Sequence, residues 1–229
     1  MPIDGSAGSW VLDRLLDHAA PGTRAGSIAP TGFETLVRVL HPPGEGDWAA
    51  AAAAAGARMH PLVQWWSITD RADAPDRDER DPEEGSVPVE VLAALLECCG
   101  GRGPLTYAVW DGFGDWEAAP SQPLMPGWGG RDYRLFEGPS HPWLSWPGMH
   151  ARSRQSANLI WPADRSWCLA TEIDLDSTLL ACSHATAERV LADRRLEACG
   201  IGEQDRLDWW GDALNGPPAF ARRDPAWGS

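Results

Sequence analysis

The sequence predicts an α+β fold, a single domain with a largely antiparallel sheet and helices packed on one face. The chain has 229 residues, of which 43% are apolar, which is enough for one sizeable core. Strand-like segments outnumber helical ones, and short turns join several of them, as is typical of antiparallel neighbours. We expect one domain over 1–214, with a mobile charged loop at 71–85, a tryptophan-rich loop or lid at 116–150, and a tail at 215–229.

The predicted helices begin at capping side chains and end at glycine or proline. Asp47 and Ser183 have the residue types that accept hydrogen bonds from a first helical turn, while Gly56 and Gly100 have the type that ends a helix in a left-handed conformation. We expect helices over 10–19, 48–55, 88–99, 184–194 and 205–214.

The predicted strands are rich in β-branched and aromatic residues and are bounded by turn residues. We expect strands over 33–41, 62–69, 106–110, 132–137, 157–161, 166–174 and 178–182, and a last edge strand over 197–201. The clearest hairpin joins 157–161 to 166–174 through the turn at 162–165. Alternation along its second strand places Trp167 and Leu169 on one face, which we expect to point inward as scaffold.

Charge and composition exclude several classes of function. All 19 basic residues are arginine, so Schiff-base and P-loop lysine chemistry is excluded. A formal charge of −14 argues against binding to nucleic acid or to an anionic membrane surface, and favours a basic protein or a neutral small molecule.

The cysteines and the first residues predict a soluble, cytoplasmic protein. The five cysteines are odd in number and none has CxxC spacing, which suits free thiols in a reducing compartment. The first eight residues lack the pattern of a signal peptide, and the apolar run at 49–55 is about half a membrane span. No cofactor motif is present, because neither a glycine-rich phosphate loop nor a metal-ligand spacing occurs.

Three nearby carboxylates form one candidate site. The segment 174–179 (DLDSTL) resembles the first motif of the haloacid dehalogenase phosphatases, which implies an aspartate nucleophile, a second aspartate as acid/base, and Mg²⁺. The chain lacks the later lysine of that family, and about fifty residues follow the motif, so this activity is not predicted. Glu172, Asp174 and Asp176 could instead hold a divalent cation or share acid and base roles, or they could be a solvated strand end.

A polar cluster around the hairpin forms the other candidate site. Tryptophan rings stack on ligands, and amide and carboxylate groups fix their orientation. The alternative is that the rings fill the core and the polar residues finish turns. The proposed ligand-binding residues are Trp161, Trp167, Asn158, Gln155, Arg165 and Glu137.

Four stretches of the chain resemble an uncharacterised family of hypothetical proteins from high-GC actinobacteria. They are 10–21 (WVLDRLLDHAAP), 30–41 (PTGFETLVRVLH), 133–139 (YRLFEGP) and 155–178 (QSANLIWPADRSWCLATEIDLDST). The resemblance covers most of the chain outside the charged loop and the tail. It implies no activity, cofactor or catalytic residue, but it places Asp174 and Asp176 in a segment that is not phosphatase-like.

The sequence therefore leaves two functions open. The leading hypothesis is a non-catalytic binding or interaction protein, a monomer or homodimer, whose tryptophan-lined cleft or surface recognises a protein or a small molecule. The alternative is a metal-dependent hydrolase in which Asp174 and Asp176 are catalytic and Glu172 completes the metal site. An interaction protein should expose an apolar patch or form a dimer.

Overall fold

Within the described residues, a single antiparallel sheet of eight strands organises the molecule and confirms the predicted α+β class. The computed structural model describes residues 4–16, 24–69, 80–100, 103–113, 116–117, 121–127 and 131–218. The strands are β1 Thr35–Leu40, β2 Pro104–Trp110, β3 Leu124–Pro126, β4 Asp132–Pro139, β5 Leu159–Pro162, β6 Cys168–Ala170, β7 Ser177–Cys182 and β8 Glu197–Ile201. Their spatial order is β3-β4-β2-β5-β6-β7-β1-β8, and each neighbouring pair is antiparallel.

The helices are α1 Ser9–Leu12, α2 Trp48–Ala55, α3 Trp65–Thr69, α4 Val89–Cys99 and α5 His184–Ala192. Helices α2 and α5 follow the capping rules that predicted them, whereas α1 and α4 begin without a side-chain cap. The Asp47 side chain accepts from the Ala50 N–H at the start of α2, and Ser183 does the same for Thr186 at the start of α5. Gly56 ends α2 with a left-handed φ of 69°.

Each face of the sheet has its own apolar core, because successive side chains of a strand point to opposite faces. The helical face carries Val37, Val39 and Leu180, which α4 and α5 cover. The opposite face, which we call the N-terminal face, is covered by α1 and by residues 25–29. The sheet is therefore buried on both sides over its central strands, and the longest helix, α4, and α5 share one face.

The hairpin is confirmed, and its alternation is as predicted. β5 pairs with β6 through Leu159↔Ala170 and Ile160↔Leu169. Trp167 and Leu169 belong to the core of the helical face, while Cys168 belongs to the core of the N-terminal face. The strands are shorter than predicted because the chain turns at 173–174 before β7 begins.

The predicted strand over 62–69 is wrong, because its second half is the helix α3. The N–H groups of Ser67 and Ile68 both donate to the Gln64 carbonyl, at 3.0 and 3.3 Å. A strand would offer the carbonyls of 61 and 63 to a neighbour, but both accept from Arg38 instead. Trp65 packs edge-on against the Trp48 ring, 5.2 Å away, in a separate small core.

The predicted helices at 10–19 and 205–214 also differ from the structure. Helix α1 ends at Leu12, and residues 17–19 lie outside the described residues. Residues 205–214 form turns, because two aspartate side chains compete for backbone N–H groups that a helix would use. Asp208 accepts from the Trp210 N–H, and Asp212 accepts from the Asn215 N–H at 2.8 Å.

The described part of the tryptophan-rich segment 116–150 packs on the domain. It contains β4 and also β3, which sequence reasoning missed. Trp146 and Met149 are buried in the core of the helical face, and Arg134 lies 3.9 Å over the Trp116 ring. Residue 128, most of the charged loop 71–85, and the tail beyond residue 218 lie outside the described residues. Among the helices described, none is both long enough and apolar enough to cross a membrane.

Candidate functional site

The two tryptophans of the predicted ligand cleft lie on opposite faces of the sheet. Trp161 is buried in the core of the N-terminal face and packs edge-on against Trp10, with ring centroids 6.0 Å apart. Trp167 is buried in the core of the helical face. Each ring fills its own core, and the structure does not bring them together as walls of one cleft.

The polar residues of that predicted cluster are also separated. Asn158 is buried and bridges backbone groups, accepting from the Trp110 N–H and donating to the Thr171 carbonyl. Gln155 donates to the Gly85 carbonyl at 2.8 Å. Glu137 is exposed near the end of β4.

Arg165 lies exposed in the hairpin turn, with its guanidinium 5.4 Å over the Trp10 ring and a left-handed φ of 55°. It therefore lies on the outer side of a ring that belongs to the core of the N-terminal face. Arginine stacked in this way covers the ring and keeps its charge in water.

The three carboxylates of the predicted acidic site face arginines from other elements. Glu172 is buried and pairs with Arg131, whose guanidinium also lies 3.5 Å from exposed Asp174. Asp176 pairs with Arg38 at 3.5 Å. Within the described ranges no group of three or more acidic, histidine or cysteine side chains could hold a metal ion. The carboxylates therefore do not converge on one cation.

Arg38 is the centre of a buried polar network beneath β1. Its side chain is fully buried, donates to the Ser177 hydroxyl at 3.0 Å and to the carbonyl of Val63 at 2.8 Å, and pairs with Asp176. Burial lowers the pKa of Arg38, while the nearby carboxylate of Asp176 acts in the opposite direction. The network fixes the segment 61–63 against β1 and has a structural role.

The strand β8 is the open edge of the sheet. Within the described ranges it pairs with β1 alone, in the register Leu40↔Glu197, Arg38↔Cys199 and Leu36↔Ile201. Residues 197–199 and 201 are half-buried, and Gly200 is exposed. A five-residue strand is roughly 17 Å long, which suits a short extended segment lying beside it.

The register identifies which backbone groups of β8 point outward. The His41 N–H donates to the Asp176 carbonyl at 2.9 Å, in phase with the β1–β7 ladder, so odd residues of β1 bond to β7. Even residues of β1 then bond to β8, and their partners are 197, 199 and 201. The N–H and C=O groups of Ala198 and Gly200 therefore point away from the sheet.

A first cleft, which we call the acidic cleft, opens beside the C-terminal end of β8. Its volume is about 270 Å³. Its lining combines apolar groups from three strands with two carboxylates, Glu34 and Glu203. The lining residues are Pro30, Phe33, Glu34, Thr35, Leu36, Ala181, Ile201, Gly202 and Glu203.

A second cleft, which we call the apolar cleft, opens beside the N-terminal end of β8. Its volume is about 210 Å³. The lining residues are Leu40, Met59, His60, Pro61, Glu197, Ala198 and Cys199. Since Leu36 and Leu40 point to the same face of β1, both clefts lie on the N-terminal face, at the two ends of one edge strand.

Sequence reasoning predicted β8 as an edge strand but missed the clefts. The walls of the apolar cleft come from residues 59–61 and 197–199, which are far apart in the chain. Two signals were available: Glu203 lies two residues after the strand, and Met59 lies in an irregular segment two residues before Pro61. Neither signal shows that these residues line a cleft beside β8, because that depends on which strands are neighbours in the sheet.

No family model, no curated protein and no solved structure matches this chain.

Proposed function

We propose that this chain is a non-catalytic interaction protein that binds an extended segment of a partner protein as an additional strand beside β8. The observation that carries the proposal is that β8 has no second neighbouring strand within the described residues and is flanked by two clefts on one face. In this binding mode, main-chain hydrogen bonds supply affinity and clefts for alternate side chains supply specificity.

Among the described residues, the β8 edge carries none of three usual devices that prevent strand addition, which are proline, a bulge and a covering segment. Residues 197–201 contain no proline, and their pairing with β1 is continuous. Ala198 and Gly200 carry the outward backbone groups, and their small side chains leave room for an incoming strand.

Charge favours a basic partner over a second copy of the chain. The net charge is −14, so two copies repel each other, whereas a basic segment is attracted. The five cysteines are free thiols, which supports a reducing compartment such as the cytoplasm. No observation favours the hydrolase alternative, because Glu172 and Asp174 face Arg131 and Asp176 faces Arg38.

Two substitutions at one position test the proposal. Gly200→Pro removes one outward N–H, and Gly200→Ala keeps it; a Cβ at this position meets no atom within 4 Å, so the alanine variant is the matched control. The probe is a displayed library of random ten-residue peptides, selected on the intact wild-type protein. Circular dichroism and urea unfolding establish that both variants fold.

We expect selected peptides to bind wild type and Gly200→Ala equally, and Gly200→Pro at least about tenfold more weakly, because a main-chain hydrogen bond is lost and the ring obstructs the edge. Equal binding to the folded proline variant, or a selection that enriches no peptide, would overturn the proposal.

A further inference from the structure

We infer that the segment bound at β8 carries a basic side chain and, four residues away, an apolar side chain on the same face. This rests on the proposed function and names the chemistry of the partner. The two clefts lie next to the two ends of β8, Glu197 and Ile201, which are four residues apart. In an added strand, side chains at i and i+4 point to one face with the same spacing, roughly 13 Å.

The acidic cleft selects the basic side chain. Glu34 uses one carboxylate oxygen to accept from the His184 N–H at 2.8 Å, and Glu203 uses one to accept from the Gly32 N–H at 2.9 Å. These bonds fix both carboxylates in position and leave a second oxygen on each as an acceptor for a ligand. Two carboxylates held in this way can accept hydrogen bonds from the forked guanidinium of an arginine or from the ammonium group of a lysine.

The apolar cleft selects the apolar side chain, because its polar groups already have partners. Both carboxylate oxygens of Glu197 accept from the start of α2, from the N–H groups of Trp48 and Ala49 at 2.8 and 2.9 Å. The pKa of Glu197 is raised by burial, with these bonds acting against it. Both oxygens of Glu197 are therefore already engaged, so the carboxylate is less available to a ligand.

The other polar groups of this cleft are also engaged. His60 Nε2 bonds to the buried carboxylate of Asp212 at 2.7 Å. The Cys199 thiol donates to the Pro61 carbonyl at 3.5 Å. The remaining surface includes Met59, which is 39% exposed and whose flexible thioether adapts to different apolar shapes.

The opposite face of the added strand meets helix α5. Arg189 points toward α4, because its Nε donates to the Cys98 carbonyl at 2.7 Å. Leu191 is two residues after Arg189 in the same helix, so the two side chains point in directions about 200° apart around the helix axis. Leu191 therefore points away from α4, on the side of α5 toward β8, against which the helix packs. It is 49% exposed. The residues between the two anchors of the bound segment would contact this leucine, so we expect at least one of them to be apolar.

The test reads the sequence pattern of peptides selected from the same displayed library. We expect enrichment of lysine or arginine four positions from an apolar residue. A peptide with that pattern should bind Glu203→Gln about tenfold more weakly. It should bind Glu117→Gln with unchanged affinity, because Glu117 is an exposed glutamate next to Trp116, which stacks on Phe136 of β4. Replacing the basic residue of the peptide by norleucine should remove the difference between wild type and Glu203→Gln.

The outcomes separate this inference from the proposed function. Peptides that require the Gly200 N–H but show no basic-to-apolar spacing would overturn the inference and leave strand addition standing. The same holds if Glu203→Gln and Glu117→Gln bind the peptide equally. Peptides whose binding is indifferent to Gly200→Pro would overturn the proposed function itself. Formation of a wild-type dimer that excludes the peptide would show that a second copy occupies the edge.

Discussion

The two edges of the sheet are built in opposite ways. At one end, β3 has three residues, lies between Pro123 and a terminal Pro126, and is overlaid by the turn at Gly5–Gly8; its central residue, Met125, is fully buried. At the other end, β8 has five residues without proline and an exposed glycine. In the part of the chain that the structure describes, one edge is covered by residues 5–8 and the other edge has no covering segment.

This difference supports the proposal that the open edge is a binding surface. An unpaired strand edge is a hazard for aggregation, so its retention on a chain that closes the opposite edge points to use. The open edge also lies next to the acidic cleft and the apolar cleft, and its neighbour β1 carries the Arg38 network, which fixes the segment 61–63. A surface that binds an added strand needs a sheet held firmly in place and an edge that a partner can reach.

Removing the Arg38 guanidinium from the network beneath β1 should give the largest loss in the free energy of unfolding. Arg38→Met leaves the largely buried carboxylate of Asp176 without its guanidinium, and we expect a loss of about 3–5 kcal/mol in the free energy of unfolding. Arg195→Met is the control, because its ion pairs with Glu97 and Asp193 are at the surface, where screening by water leaves them little effect on stability. Urea unfolding measures both, and similar losses for the two variants would contradict the role of Arg38.

A glycine-to-alanine substitution at each edge of the sheet compares the covered edge at β3 with the open edge at β8. An added Cβ at Gly5 would overlap the carbonyl oxygen of Leu124 in β3, whereas at Gly200 it meets open space. We expect Gly5→Ala to cost about 1–3 kcal/mol in unfolding free energy and Gly200→Ala to change it by under about 1 kcal/mol, in the stabilising direction. Thermal and urea unfolding of the two variants measure this contrast, which fails if both are neutral.

The sequence predicted a helix or strand correctly where neighbouring residues alone determine it, and failed where a contact with a distant residue does. Caps and stops are local, so α2 is bounded by Asp47 and Gly56 as predicted. The segment 62–69 looked like a strand by composition, but Arg38 from a distant strand takes its carbonyls. The tertiary contact overrode the pattern.

The candidate site shows the same limit. Alternation correctly separated Trp167 from Cys168, but the sequence could not show that Trp161, six residues earlier, faces the other core. The face of a residue depends on strand pairing, which is not local. Likewise the acidic residues 172–176 suggested a metal site, because their arginine partners lie at positions 38 and 131.

A smaller effect is expected from a buried thiol in the interior of the sheet, whose raised pKa makes the free energy of unfolding depend on pH. Burial raises the pKa of Cys182 in β7 from 9.0 to about 11. Between these values the unfolded chain loses the proton and the folded chain keeps it, so the free energy of unfolding falls as pH rises from 9 to 11. Urea unfolding should show a shallower decline for Cys182→Ala over this range.

Below pH 8 the thiol is protonated in both states, so the pH dependence of wild type and Cys182→Ala should coincide there. This range is the internal control. Parallel curves for the two proteins up to pH 11 would contradict the burial of that thiol.

Amide hydrogen exchange of β8 is the most direct measurement of the central claim. In the protein alone, the N–H groups of Ala198 and Gly200 should exchange quickly, while that of Cys199, which bonds to β1, is protected. A selected peptide should slow the exchange of Ala198 and Gly200 together and leave that of Cys199 little changed. Exchange at Ala198 and Gly200 that is already slow without peptide, or that stays fast when the peptide is bound, would show that no strand is added at this edge.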